Sequence, residues 1–76
     1  MGREGPMTRR EELEKRAEKL RKEGSLRRGQ SLMNALYYMD GDAYQMIVGT
    51  PADCYYLDVM IPAFYAILNT IWITYS

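Results

Sequence analysis

Apolar residues are sparse along the first 28 positions of the chain and dense from there to its end. In the first stretch they recur at helical spacing among charged residues: Leu13, Ala17 and Leu20. Thr8, with Glu11 three positions later, matches a capping box, and Gly24 is the residue type that commonly follows a helix. The pattern predicts a long charged helix from Thr8 to Gly24, with one narrow face buried.

The next segment predicts a second helix, capped by Ser25 and running to about Met39. Its apolar side comprises Leu26, Leu32, Met33, Leu36, Tyr37 and Met39. Its polar side comprises Arg27, Gln30, Ser31 and Asn34. Because Asn34 is the only interruption between Leu32 and Met39, we expect burial over much of the helix circumference.

Two short helices are predicted before residue 57. Asp42 is a suitable N-cap for a helix over residues 43–48, which Gly49 would end. Thr50, followed by proline and then an acidic residue, has the composition of a helix start. We therefore expect one or two helical turns from Thr50 through Tyr56.

The final apolar segment, residues 59–75, contains no charged side chain. Pro62 predicts the start of a last helix over residues 62–74, although its β-branched end leaves an extended conformation as the alternative. A membrane-spanning helix needs about 20 apolar residues, and this segment is shorter. We expect a buried core helix or a subunit interface. A tail anchor, with Trp72 at the membrane surface, is the alternative.

Together these elements predict an all-α fold, a small bundle of four or five short helices with a long charged N-terminal helix. Residues 8–76 would form a single helical domain, and the Gly- and Pro-rich residues 1–7 a disordered tail. A domain of this size buries only about 60% of its unfolded surface, and a single cysteine excludes an internal disulfide. We therefore expect a homo-oligomer or a protein partner.

The composition argues against catalysis and against a metal site. The chain has no histidine, and its one cysteine, Cys54, follows an aspartate that disfavours the thiolate. Asp40-Gly41-Asp42 resembles part of a calcium loop, but no glutamate follows Glu23 to complete it. We expect no enzyme, no catalytic residue, no metal ligand and no cofactor. The free cysteine favours a cytoplasmic location.

Charge is divided unevenly along the chain. All ten Lys and Arg residues lie in residues 1–28 with six glutamates, whereas residues 29–76 carry four aspartates. Arg9, Arg10, Arg27 and Arg28 are the residues that would contact phosphates, which makes nucleic-acid binding an alternative function. Because glutamates interleave the basic residues, a solvated helical face is the simpler interpretation.

Seven tyrosines include two doublets, Tyr37-Tyr38 and Tyr55-Tyr56. Tyrosine is enriched at protein interfaces because it offers contact area at a small cost in side-chain freedom. Adjacent residues on a helix face different directions, so one tyrosine of each doublet should point outward. The leading hypothesis is therefore a non-enzymatic protein-binding module that uses these four tyrosines.

Several short segments together resemble a pattern in short uncharacterised proteins of bacterial and phage genomes. They are Arg28-Gly29-Gln30, Asn34-Ala35-Leu36, Gly49-Thr50 with Asp53 and Tyr56, and Ile61-Pro62-Ala63-Phe64. The resemblance spans about residues 28–64 and carries no established activity or functional residue. It implies a small accessory protein, for example a phage-encoded inhibitor of a host defence protein.

The same residues have a structural interpretation that we prefer to a ligand site. Gly29 would permit a close approach between helices. Gln30 and Asn34, one turn apart, would hydrogen-bond each other or the turn at residues 49–53, and Thr50 and Asp53 would fix that turn. This set of four polar residues is the predicted clasp.

Overall fold

The structure is a computed structural model that describes residues 8–75, in four α-helices and one 3₁₀ turn without strands. The helices are α1 (Arg9–Gly24), α2 (Arg28–Met39), α3 (Gly41–Ile47) and α4 (Ile61–Tyr75), and the 3₁₀ turn spans Asp58–Met60. The predicted all-α bundle is confirmed. The predicted disordered tail at residues 1–7 lies outside the described residues.

Helix α1 begins with the predicted capping box. The Thr8 hydroxyl accepts a hydrogen bond from the Glu11 amide at 3.1 Å, and the Glu11 carboxylate accepts one from the Thr8 amide at 3.0 Å. The helix ends at Gly24, but the left-handed residue that follows it is Ser25, with φ 55°, and not Gly24 as predicted. The amides of Ser25 and Leu26 both bond the Arg21 carbonyl, which satisfies the end of the helix.

The prediction that Ser25 caps α2 is therefore wrong. The helix starts at Arg28, and the residue at its N-cap position, Arg27, makes no side-chain capping bond. The cap comes from a distant residue instead, because the Asp58 carboxylate accepts from the Gly29 amide at 2.9 Å. Helix α2 ends at Met39 as predicted.

The buried side of α2 is wider than predicted. Ser31, which we placed on the polar side, is buried, with 1% of its surface exposed. Its hydroxyl donates to the Arg28 carbonyl at 2.8 Å, so the polar group is satisfied within the helix. Tyr37, which we placed on the apolar side, is 55% exposed.

Helix α3 is capped by Asp40 and not, as predicted, by Asp42. The Asp40 carboxylate accepts from the Ala43 amide at 3.1 Å and from the Trp72 indole at 2.8 Å, so it also ties α3 to α4. Asp42 lies exposed in the first turn. The helix ends at Ile47, one residue before the predicted end, and Gly49 follows with φ 79°.

The predicted helix from Thr50 to Tyr56 is wrong, because this segment forms turns and bends. Thr50 donates its hydroxyl proton to the Ile47 carbonyl at 2.6 Å and accepts from the Ala52 amide at 3.1 Å. Asp53 accepts from the amides of Gly49 and Tyr55, both at 2.9 Å. These local bonds satisfy the backbone that a helix would otherwise pair.

Helix α4 is helical over its whole span, so the extended alternative is excluded. It packs into a core shared by all four helices, whose fully buried members include Leu13, Leu32, Met33, Leu36, Ile47, Phe64 and Leu68. Two polar contacts reinforce its position: the Tyr65 hydroxyl donates to Glu14 at 2.9 Å, and Trp72 donates to Asp40. Helix α4 is thereby fixed to both α1 and the start of α3.

Candidate protein-binding surface

Ring contacts and one groove link five tyrosines, which we call the tyrosine surface: Tyr37, Tyr38, Tyr44, Tyr55 and Tyr56. The ring of Tyr37 meets that of Tyr38 edge to face at 5.3 Å between centroids, and that of Tyr44 at 5.2 Å. The rings of Tyr55 and Tyr56 meet at 4.8 Å. Edge-to-face pairs of this kind hold aromatic rings in defined orientations.

A groove of about 320 Å³ lies beside the second doublet and reaches Tyr44. Its lining consists of Met33, Asn34, Tyr44, Val48, Asp53, Tyr55 and Tyr56. Because Tyr44 contacts Tyr37 on one side and lines the groove on the other, it joins the doublets into one surface. Its role was missed from the sequence, since nothing in the pattern places α3 between the two doublets.

The doublets are exposed to different degrees. Tyr37 and Tyr38 are 55% and 73% exposed, so both point outward where we expected one. Tyr37 and Tyr38 are successive residues near the end of α2, and Tyr38 also lines a cleft with Glu12 and Arg16 of α1. In the second doublet Tyr56 is 76% exposed and Tyr55 is half-buried.

Tyr55 is held by three hydrogen bonds. Its hydroxyl accepts from the Gln30 side chain at 3.0 Å, its carbonyl accepts from the Arg27 guanidinium at 2.8 Å, and its amide donates to Asp53. The start of α2 therefore positions the second doublet. A surface fixed in this way loses little conformational freedom on binding.

Gly29 allows this close contact between α2 and the loop. A Cβ atom at position 29 would overlap the carbonyl oxygen of Cys54 and lie 2.9 Å from the Asp58 carboxylate. The Gly29 amide is the donor to Asp58, and its carbonyl lies 3.5 Å from the Cys54 sulfur. Helix α2 thus touches the loop through backbone that a larger residue would displace.

The four residues of the predicted clasp have separate roles. Thr50 and Asp53 hold the turn, and Gln30 bonds Tyr55 and neither Asn34 nor the turn. Asn34 is half-buried in the wall of the groove, and its carboxamide makes no hydrogen bond within residues 8–75. Its polar atoms are therefore available to a ligand in the groove.

Exposed aliphatic side chains border the second doublet in the chain. Leu57 and Val59 are 59% and 76% exposed, and Val48, which lines the groove, is 37% exposed. These side chains add exposed apolar area next to the second doublet in the sequence, and Val48 adds it within the groove.

The four predicted phosphate-binding arginines are not gathered on one site. Arg9 stacks over Trp72 at 5.7 Å and lies 3.9 Å from Asp40, and Arg10 stacks over Tyr65 at 4.1 Å and pairs with Glu14 at 3.3 Å. They lie at the start of α1, about 22 Å along the helix from its end.

The other two arginines lie beyond the far end of α1. Arg27 bonds the Tyr55 carbonyl, and Arg28 lines a cleft with Glu14 and Glu18. Basic charge at this end of the molecule is therefore interleaved with carboxylates, as it is along α1, where Arg16 pairs with Glu12 and Arg21 with Glu18.

Cys54 is fully buried beneath the loop. Burial, with a smaller contribution from the neighbouring charges of Asp53 and Asp58, raises the pKa of its thiol to about 12. The residue is therefore a thiol at physiological pH and packs as an apolar group. Among residues 8–75 no cluster of His, Cys, Asp and Glu has the arrangement of a metal site.

Comparison of the chain with protein-family models, curated proteins and solved structures gives no match. Within the described part of the chain, no helix has the length and apolar character needed to cross a membrane.

Proposed function

We propose that the protein is a non-enzymatic binding module that recognises another protein through the tyrosine surface. The single observation that carries the proposal is that Tyr44 contacts Tyr37 of the first doublet and lines one groove with Tyr55 and Tyr56 of the second. Interfaces concentrate their binding energy in a few large aromatic side chains set in well-ordered surroundings. The three hydrogen bonds on Tyr55 and the edge-to-face ring contacts supply that order here.

The solvent exposure of these rings supports the same function. Burying one of the exposed tyrosines of the surface inside its own domain would stabilise the fold, yet Tyr37, Tyr38 and Tyr56 remain more than half exposed. The apolar surface of these three rings, which the fold leaves exposed to solvent, is available to a partner. From the resemblance to short phage and bacterial proteins, we further propose that the partner is a host protein, such as a defence protein that the module inhibits.

A tagged pull-down from a bacterial lysate, treated with nuclease and analysed by mass spectrometry, tests the proposal. We expect one stoichiometric protein that persists after nuclease and is lost from the variant carrying Tyr38→Ala and Tyr56→Ala. The matched control is Met46→Ala, which removes an apolar side chain 47% exposed on α3 and outside the groove lining. Capture that survives both tyrosine substitutions, with Tyr37→Ala added, contradicts the proposal.

Self-association through α4 is a second proposal for the apolar surface. The outward residues of this helix include Ile67 and Ile73, 45% and 81% exposed, and none of its residues is charged. Two copies related by a two-fold axis would therefore meet along this face without like charges in contact. Sedimentation equilibrium should give a dimer for the natural chain and a monomer for Ile73→Glu, and a monomer in both contradicts self-association.

Nucleic-acid binding through Arg9, Arg10, Arg27 and Arg28 is the alternative function. It is less well supported, because carboxylates or aromatic rings engage the first two and a backbone carbonyl the third. Its signature would be an affinity that falls steeply with salt concentration. A tail-anchored membrane protein is the other alternative, and it would require that α4 leave the core in which Phe64, Leu68 and Trp72 are buried.

A further inference from the structure

We infer that the groove of the tyrosine surface receives a positively charged side chain, an arginine or lysine on a basic segment of the partner protein. This inference rests on the proposed function and names the chemistry of the partner. The groove has three aromatic walls, from Tyr44, Tyr55 and Tyr56, and a single charged side chain in its lining, Asp53. A cation is the ligand that this combination attracts.

The aromatic walls suit a cation on geometric grounds. The planes of Tyr55 and Tyr56 meet at 67° with their centres 4.8 Å apart, so the two rings form a corner and not a flat stack. A guanidinium or ammonium group placed over a ring face gains cation–π energy, and the gain is larger where water is partly excluded. Helix α1 of the same chain shows the contact twice, with Arg10 over Tyr65 and Arg9 over Trp72.

Asp53 supplies the charge. Its two oxygens each accept one backbone hydrogen bond, from Gly49 and from Tyr55, and a carboxylate has about four acceptor positions. The carboxylate is therefore held rigidly, with acceptor capacity that remains for a donor from outside. The Asn34 carboxamide, which makes no hydrogen bond within residues 8–75, lies in the same groove and can bond the partner's donor or main chain.

The charge distribution favours a basic occupant over an acidic one. Residues 29–76 contain no lysine or arginine, and the one cation beside the loop, Arg27, is bonded to the Tyr55 carbonyl. An acidic segment entering the groove would meet Asp53 and lose hydration without compensation. A basic segment would place its positive charge against the negative charge of the Asp53 carboxylate.

Titration of the ¹⁵N-labelled full chain with N-acetyl-arginine amide, followed by NMR, tests the inference. We expect shift changes at the Asn34 side-chain amide and at the backbone amides of Tyr44 and residues 53–56, with a dissociation constant of roughly 1–10 mM. The matched control ligand is N-acetyl-citrulline amide, which keeps the shape of arginine and lacks its charge. It should shift these signals at least fivefold less, and added salt should weaken the arginine effect.

Two variants distinguish the groove from general attraction to carboxylates. Tyr56→Leu removes one aromatic wall of the corner and no hydrogen bond among residues 8–75. This substitution should weaken arginine binding about threefold or more. Asp42→Asn removes an exposed carboxylate outside the groove lining and should leave binding unchanged. Asn34→Ala should weaken binding while preserving the spectrum of the fold.

Three results would overturn the inference. The first is equal shift changes with the arginine and citrulline ligands. The second is shift changes confined to the glutamates of α1. The third is a change in the signals of the groove on dilution alone, which would show that a second copy of the chain occupies it. Capture of a protein partner that depends on Tyr38 and Tyr56, without arginine binding in the groove, would contradict this inference and leave the proposed function supported. Loss of both would contradict the two together.

Discussion

Asp58 caps a helix that begins 30 residues before it: its carboxylate accepts the Gly29 amide of α2 at 2.9 Å. Gly29 is the second residue of α2, one of the positions whose amide lacks a partner inside the helix. The same contact ties the start of α2 to the loop that follows Cys54 and carries the second tyrosine doublet. One hydrogen bond therefore contributes both to the start of α2 and to the position of this loop.

Replacing Asp58 with alanine should lower the free energy of unfolding by about 1 kcal/mol, the usual effect of removing an N-cap. Urea denaturation followed by circular dichroism measures this change. Asp42→Ala is the control, because this carboxylate is exposed in the first turn of α3 and is not its cap. Equal effects of the two substitutions would contradict the cap at Asp58.

Gly29→Ala should destabilise the protein by about 3 kcal/mol or prevent its folding, since the added methyl group overlaps the Cys54 carbonyl and displaces the loop. Gly41→Ala provides the matched control. A Cβ at position 41 meets nothing within 4 Å, and alanine in a helix is favoured over glycine by up to about 1 kcal/mol. Thermal unfolding should rank the chains in the order Gly41→Ala, natural chain, Gly29→Ala. A Gly29→Ala protein as stable as the natural chain contradicts the close approach.

Asp40→Ala should cost more than Asp58→Ala, about 2–3 kcal/mol, because it removes the α3 cap and leaves the indole of the buried Trp72 without its acceptor. Trp72 is the only tryptophan of the chain, so its fluorescence reports the local change directly. We expect an altered emission maximum in Asp40→Ala and an unchanged one in Asp42→Ala. Unchanged emission in both would contradict the Trp72 contact.

Stability should fall as the solution becomes alkaline. Burial raises the pKa of Cys54 from 9.0 to about 12, so the unfolded chain loses the thiol proton at a pH where the folded chain retains it. The stabilisation is complete below pH 9 and is lost progressively between pH 9 and 12. Burial and the hydrogen bond to Glu14 also raise the pKa of Tyr65, which adds to the effect in the same direction.

Urea midpoints at pH 8 and pH 10 measure this dependence. We expect a lower midpoint at pH 10, with a smaller decrease in Cys54→Ala, which lacks the thiol. In the folded natural chain at pH 8, a thiol reagent should modify Cys54 only through unfolding, because its side chain is fully buried. Rapid labelling without denaturant would contradict this burial.

The helices that follow from local pattern were predictable, and the contacts between distant residues were not. The Thr8 capping box and the span of α4 depend on residues close together in the chain, so both could be predicted from the sequence. Ser25 offered a local cap for α2, yet tertiary packing placed it in a left-handed turn and recruited Asp58. The sequence marked residues of the loop as a helix start because the same residue types cap helices and form turns.

The tyrosine surface was predictable only in part, because its assembly also depends on contacts between distant residues. Composition pointed to Tyr37, Tyr38, Tyr55 and Tyr56, but their joining depends on Tyr44, which only the packing of α3 brings between them. The hydrogen bonding of Asn34 could not be predicted either, because it depends on the tertiary structure. Gln30 donates to the Tyr55 hydroxyl and not to Asn34, whose carboxamide makes no hydrogen bond within residues 8–75.

The most direct test of the central claim is the affinity of the captured partner for the purified chain, measured by calorimetry, with Tyr38→Ala and Tyr56→Ala compared with Met46→Ala. If the tyrosine surface is the binding site, each tyrosine substitution should weaken binding by about 2 kcal/mol, roughly 30-fold, and Met46→Ala should change it by less than about twofold. Equal affinities for all three variants and the natural chain would contradict the assignment of this surface.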